Sequence, residues 1–173
     1  MADTWDRQIR QQIHDCRLFI AMISAHTEAR DARVTSVANG DWRSNVPATV
    51  ANALLLQHHY DEALAELERE PDEGTRHAGR ALVFHALGRH SESDFELQSF
   101  LSYLETAQIP WYSEVARIHA FRGERDRAME FLEKAYQKRD VDLYFITGDP
   151  LLKNLESDPR YKAFLRKMNL PVD

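Results

Sequence analysis

Apolar residues fall at helical spacing from Val46 to Lys138, and the pattern predicts six helices there. The clearest covers 125–138. Its Ala128, Phe131, Leu132, Ala135 and Tyr136 form an i, i+3, i+4, i+7, i+8 stripe that would face a core. A helix at 111–122 precedes it, joined by a tight turn at Gly123. Upstream, 46–59 reads as a helix with Pro47 tolerated in its first turn. The next, 60–69, turns Ala63, Leu64 and Leu67 inward. PDEG at 71–74 is a turn. Residues 75–87 form a helix stopped by Gly88, placed as a left-handed C-cap. Residues 90–105 put Ser93, Leu97, Phe100, Leu101 and Leu104 on one face, and Ala107 to Pro110 ends that helix.

The two ends of the chain differ from this middle. Residues 5–15 read as a helix, with Trp5, Ile9 and Ile13 on one side. CRLFIAMIS at 16–24 is an apolar run of the length of a buried strand, but it could equally continue the helix. Residues 25–45 are polar and read as a linker. At the other end, Asp149-Pro150 and Asp158-Pro159 each place an N-cap before a proline at the first helical position. Two short helices should start there. Leu151, Leu152, Leu155, Tyr161, Phe164, Leu165 and Met168 would pack inward as the cap of a helical stack. The organisation expected is thus an N-terminal segment at 1–45, helix pairs at 46–138 and a helical cap at 139–173.

The helix pairs are similar to one another. A small residue, three others, then Leu recurs as Ala63–Leu67, Ser93–Leu97 and Ala128–Leu132. The small residues of the preceding helices are Ala51, Ala81 and Ala116. Both series have offsets of 30 and 35 residues, and Gly88 and Gly123 are also 35 apart. With these residues, 46–138 resembles three divergent tetratricopeptide (TPR) units, whose period is about 34. The resemblance implies an all-α fold of three helix pairs in a right-handed superhelix. The first unit is short by about one helical turn, and Pro71 offers a reason. The DPLL…DPRY…FL ending resembles the tail of TPR regions in bacterial multidomain proteins, some of which begin with a TIR or an adenylate-cyclase domain. WDRQIRQQIHDCRLFIAMISAHTEAR at 5–30 resembles the middle of a bacterial TIR domain. The catalytic Glu of the NAD-cleaving members has no counterpart, since no Glu lies between Asp31 and Tyr60.

Composition narrows the function. The 173 residues suffice for one domain, and 43% hydrophobic with 29% charged residues is ordinary for a globular chain. A formal charge of -6 argues against nucleic acid and anionic lipid as partners. Acidic residues crowd 61–73 and basic ones 153–167, which would make the stack dipolar. Cys16 is the one cysteine, read as a small buried hydrophobe. The polar start carries no secretory leader pattern, and the cytoplasm is the expected location. Phosphate-binding, hydrolase and zinc-protease signatures are absent from the sequence. A metal would need an interhelical pair such as His85 with His119; the expectation is no metal and no cofactor.

These features point to a non-enzymatic protein-interaction module that binds a peptide or helix. In TPR units the first helices line a concave groove. The resemblance carries that role onto Asn52 and Leu55, Leu82 and His85, and Arg117 and Phe121. A clamp for a C-terminal carboxylate is not expected: Asn52 fits one of its places, but Ala48, Gly79 and Ser113 stand at the others. The groove could instead be filled by the N-terminal segment. An isolated strand at 17–24 would leave backbone groups unpaired, so this segment must become helix or pair with a second copy in a homodimer. The remaining alternative is residual NAD cleavage of the TIR type.

Overall fold

The computed structural model describes residues 46–172. The expectations for 1–45 (the helix at 5–15, the apolar run, the TIR-like piece, the homodimer contact) fall outside the described residues. Within them the chain is all-helical, with no strand. We number the helices α1 (Val46–Leu56), α2 (Tyr60–Leu67), α3 (Glu73–Ala86), α4 (His90–Ala107), α5 (Tyr112–Phe121), α6 (Arg125–Lys138) and α7 (Pro159–Lys167). Two 3-10 helices, Val141–Phe145 and Pro150–Leu155, lie between α6 and α7. None of the described helices is long and apolar enough to cross a membrane.

Consecutive helices pack as three pairs, α1 on α2, α3 on α4 and α5 on α6. The first helices also pack in a row, α1 on α3 and α3 on α5. Each pair crosses at small residues. Ala51 with Ala63, Ala81 with Ser93, and Ala116 with Ala128 are all buried to 1% exposure or less. The Ser93 hydroxyl donates to the Ala81 carbonyl at 2.5 Å, so the two backbones are close enough for one short side chain to bridge them. Glycine opens a second close approach. A Cβ on Gly79 would lie 2.4 Å from Leu67 Cδ2, inside a side chain with no exposed surface.

The turns inside the pairs share one geometry. His58, Gly88 and Gly123 each take positive φ, at 64°, 73° and 79°. The next amide in each case reaches back to close the helix end: His59 to Leu54, Arg89 to Phe84, and Glu124 to His119. This is the six-to-one closure typical of helix C-termini. The first turn is not visible as a glycine in the sequence, and it ends α1 at Leu56 rather than at residue 59.

At the opposite end of each pair a polar group fastens the start of the first helix. In the first pair Glu70, 1% exposed, accepts from the Ala48 amide at 3.2 Å and from the Asp72 amide at 3.1 Å. In the third, Asp140, 4% exposed, accepts from the Ser113 amide at 2.8 Å and from the Asp142 amide at 3.0 Å. A buried carboxylate is tolerable there because helix N-terminal amides and the helix dipole both favour an anion. In the middle pair the Tyr103 hydroxyl donates to Asp72 at 2.9 Å, and Asp72 itself caps α3 through the Thr75 amide.

Two cores result, and α5 belongs to both. Val115 and Ile118 join the core of the first two pairs, while Ala116 and Ala120 join the core of α6 and the cap. The capping reading of both Asp-Pro pairs agrees with the structure: Asp149 accepts from the Leu151 amide and Asp158 from the Arg160 amide. Leu151, Leu152, Leu155, Tyr161, Phe164 and Leu165 are buried as expected. Two details differ. The segment after Asp149 is 3-10 rather than α, and Tyr136, placed on the inner stripe, is 40% exposed, its ring edge to face with Phe164 of α7.

Two measurements follow from these ends. His58→Gly relieves a left-handed non-glycine residue and should raise stability by about 0.5–1 kcal/mol in urea titration, despite losing the exposed His58–Tyr60 contact. Burial pushes the Asp72 carboxyl up, but hydrogen bonds from Thr75 and Tyr103 and the charge of Arg76 prevail and hold it below the usual carboxylate range. The stability this supplies is present above the unfolded value of about 3.9 and is lost as pH falls through the lowered folded value. Tyr103→Phe should therefore cost about 0.5–1.5 kcal/mol at pH 7. The difference from the parent should shrink in melts taken below pH 4.

Candidate functional site

The row of first helices does not end in open solvent. Residues 142–150 fold back across it and close a cavity of about 510 Å³. Ala48, Thr49 and Asn52 of α1, Thr75, Ala78 and Gly79 of α3, and Ser113, Glu114 and Arg117 of α5 form one wall. Trp111, just before α5, and Phe145 of the first 3-10 helix supply aromatic faces. Smallness on α1 and α3 helps make the space: Ala48 and Ala78 carry only a methyl group at this wall, and Gly79, whose missing side chain makes room for Leu67, lines it with backbone. The volume lies within the range of about 300–1,000 Å³ usual for small-ligand and peptide-anchor sites.

Arg117 is fixed at the back of this cavity. Its Nη1 donates to Glu114 Oε2 at 2.5 Å. Its Nε comes within 2.6 Å of Asp149 Oδ2, yet that contact lacks hydrogen-bond alignment, so charge rather than a directed bond holds it. The charge of Glu114, then that of Asp149, raises the guanidinium pKa further above its ordinary value, against the opposing effect of burial. Arg117 thereby joins α5 to the cap, and its cation is already shared by two carboxylates. Asp142, joined to the Ser113 backbone through the shared Asp140 carboxylate, makes no ion pair among the described residues. Burial, followed by the charges of Asp140 and Glu114, pushes its carboxyl pKa up. Ser113 is 2% exposed; its amide is engaged by Asp140, but its hydroxyl is buried without a hydrogen-bond partner.

The six residues expected to form a groove divide three ways. Asn52 and Arg117 line the cavity. Leu55 and Leu82 are 2% and 0% exposed and belong to the core of the first two pairs, not to a groove. His85 and Phe121 sit together elsewhere, their rings edge to face at 6.0 Å. Burial, then the charges of Arg122 and His90, lowers the His85 pKa and favours the neutral ring. His119 is engaged separately: Nδ1 lies 2.5 Å from Glu124 Oε2 and the ring stacks on Phe131. Among the described residues no three His, Cys, Asp or Glu side chains converge as a metal site requires.

Trp111, Glu114, Asp142, Phe145 and Asp149 were not expected in a site. For the three that come from the cap, the signal was a run of apolar residues, Val141, Leu143, Tyr144, Phe145 and Ile146. Leu143 and Ile146 are buried, whereas Val141, Tyr144 and Phe145 are 67%, 73% and 77% exposed. More apolar surface stands on this 3-10 helix than its packing consumes. The role of Arg117 is open to measurement: Arg117→Met leaves Glu114 and Asp149 facing each other uncompensated, and should cost about 1–3 kcal/mol in chemical denaturation. Arg117→Lys, which keeps the charge but not both contacts, should fall between the two.

No family model matches the chain, and no curated protein or solved structure matches it at a significant level.

Proposed function

We propose that this chain is a protein-interaction module: a TPR-like stack of three helix pairs that binds an extended peptide segment of another protein in the cavity between α1, α3, α5 and the cap. The observation that carries the reading is the cavity itself. It is built from the first helix of each pair, small residues at Ala48 and Ala78 line it, and it holds a buried serine hydroxyl with no partner. Offsets of 30 and 35 residues support the TPR-like reading, since they recur in the crossing residues and again in the positive-φ turns at 58, 88 and 123. Phe145 lines the cavity and is exposed, as are Val141 and Tyr144 on the same 3-10 helix, and a bound peptide would cover apolar surface there. The side-chain chemistry of the cavity, with its one cation tied to two carboxylates and no base poised beside a nucleophile, suits recognition rather than turnover.

Selection from a displayed library of random linear peptides against the full chain tests this. Enriched peptides should perturb the amide resonances of Asn52, Ser113 and Thr147 on binding. Phe145→Ala, at an exposed position, should weaken them by about tenfold or more without lowering the melting temperature. Failure to enrich any peptide, or enrichment of peptides that perturb only residues remote from the cavity, would overturn the assignment.

A further inference from the structure

The cavity has a charge preference that its shape alone does not give. Three carboxylates, Glu114, Asp142 and Asp149, line it against one guanidinium, Arg117, leaving a formal charge of -2. The guanidinium charge is already shared by Glu114 and Asp149. Asp142 is the opposite case: a carboxylate at the wall with no cation within ion-pair distance among the described residues, beside two further acids, Asp140 and Glu114. The hydroxyl of Ser113, buried and unpartnered, adds an acceptor at the same wall. Trp111 and Phe145 also line it, and an aromatic ring face attracts a cation and repels an anion.

Resting on the peptide-binding reading above, we propose that the cavity takes a lysine or arginine side chain of the bound peptide, its cation received by Asp142 and the Ser113 hydroxyl between Trp111 and Phe145. The aliphatic stem of such a side chain suits the apolar part of the walls, and its charged head reaches the acidic part. Apolar neighbours in the peptide would lie on Val141 and Tyr144. An acidic peptide, or a C-terminal carboxylate, meets two surplus negative charges instead.

The test uses the full chain and three acetylated, amidated nonapeptides. Each repeats Ala-Leu-X three times, with X as Lys, Gln or Glu. Binding is followed by amide chemical shifts and by calorimetry at low salt, where charge preference is least screened. The Lys peptide should bind at least about fivefold tighter than the Gln peptide, perturb Ser113 and Asp142, and weaken as salt rises. Asp142→Asn should remove about threefold or more of that preference while leaving the Gln peptide unaffected. Asp142 caps no helix, so the variant should melt as the parent does. Asp142→Lys, as a second variant, should reverse the order in favour of the Glu peptide. Equal affinity for the Lys and Gln peptides, or preference for Glu by the parent chain, overturns the cation assignment and leaves peptide binding standing. If none of the three binds while library-selected peptides do, again only the charge assignment falls. If the library also yields nothing, the peptide-binding reading falls with it.

Discussion

The close crossing of paired helices is the constraint on which the rest of the structure depends. Ala51, Ala63, Ala81, Ser93, Ala116 and Ala128 are small because a larger side chain would push the axes apart, and they have almost no exposed surface. The Ser93 hydroxyl on the Ala81 carbonyl shows how little space remains. Once the axes are that close, the large residues have only two places to go. Leu67, Phe100 and Leu132 fill the space behind each crossing, and Leu55, Leu82 and Ile118 fill the space between pairs. Interiors pack at nearly crystalline density, so widening one crossing would disturb both layers at once.

The cap follows from the same geometry. Helix α5 is the last first-helix of the row, and it has no fourth pair to cover its far face. Ala116 and Ala120 on that face are short, which lets Leu152 and Leu155 of the second 3-10 helix come in against it. Asn154 donates to the Ala120 carbonyl at 2.9 Å, and Arg117 meets Asp149 from the other side. The fold-back needed to seal this face carries residues 142–150 across the mouth of the row. The cavity is therefore a by-product of closing a core, and its acidic lining comes partly from groups recruited as helix caps: Asp149 caps the second 3-10 helix and Asp142 stands beside the cap at Asp140.

Much of the fold was legible because its signals are local. Stripe spacing located all six helices of the pairs, the helix offsets aligned them, and two Asp-Pro dipeptides marked the cap. What was not legible depends on who meets whom. Leu55 and Leu82 look alike to a periodicity argument whether they face a groove or a neighbouring pair; only the packing angle decides. His58 hides a left-handed turn because nothing in its side chain announces one. Glu70 reads as one more acid in the charged stretch 61–73, and its role requires knowing that the Ala48 amide lies opposite. Within the candidate site, Asn52 and Arg117, which the TPR resemblance assigned to a groove, line the cavity. Asp142 and Phe145 were not legible, since they reach the cavity through the fold-back of a segment whose own pattern is a short 3-10 run.

The fastenings at the base of each pair have a mechanical side. Glu70 to Ala48, Tyr103 to Asp72, and Asp140 to Ser113 join residues 22, 31 and 27 positions apart, with the turn of each pair at the far end of the enclosed chain. Tension applied along the backbone reaches the fastening first. The helices behind it are shielded until it opens, because the load passes across the bond and not around the hairpin. Three such closures in series, each a few hydrogen bonds strong, would let a stretched chain lengthen in separate steps. Each step would release a length set by where the fastening residue stands, at roughly 3.3–3.6 Å per residue when fully extended.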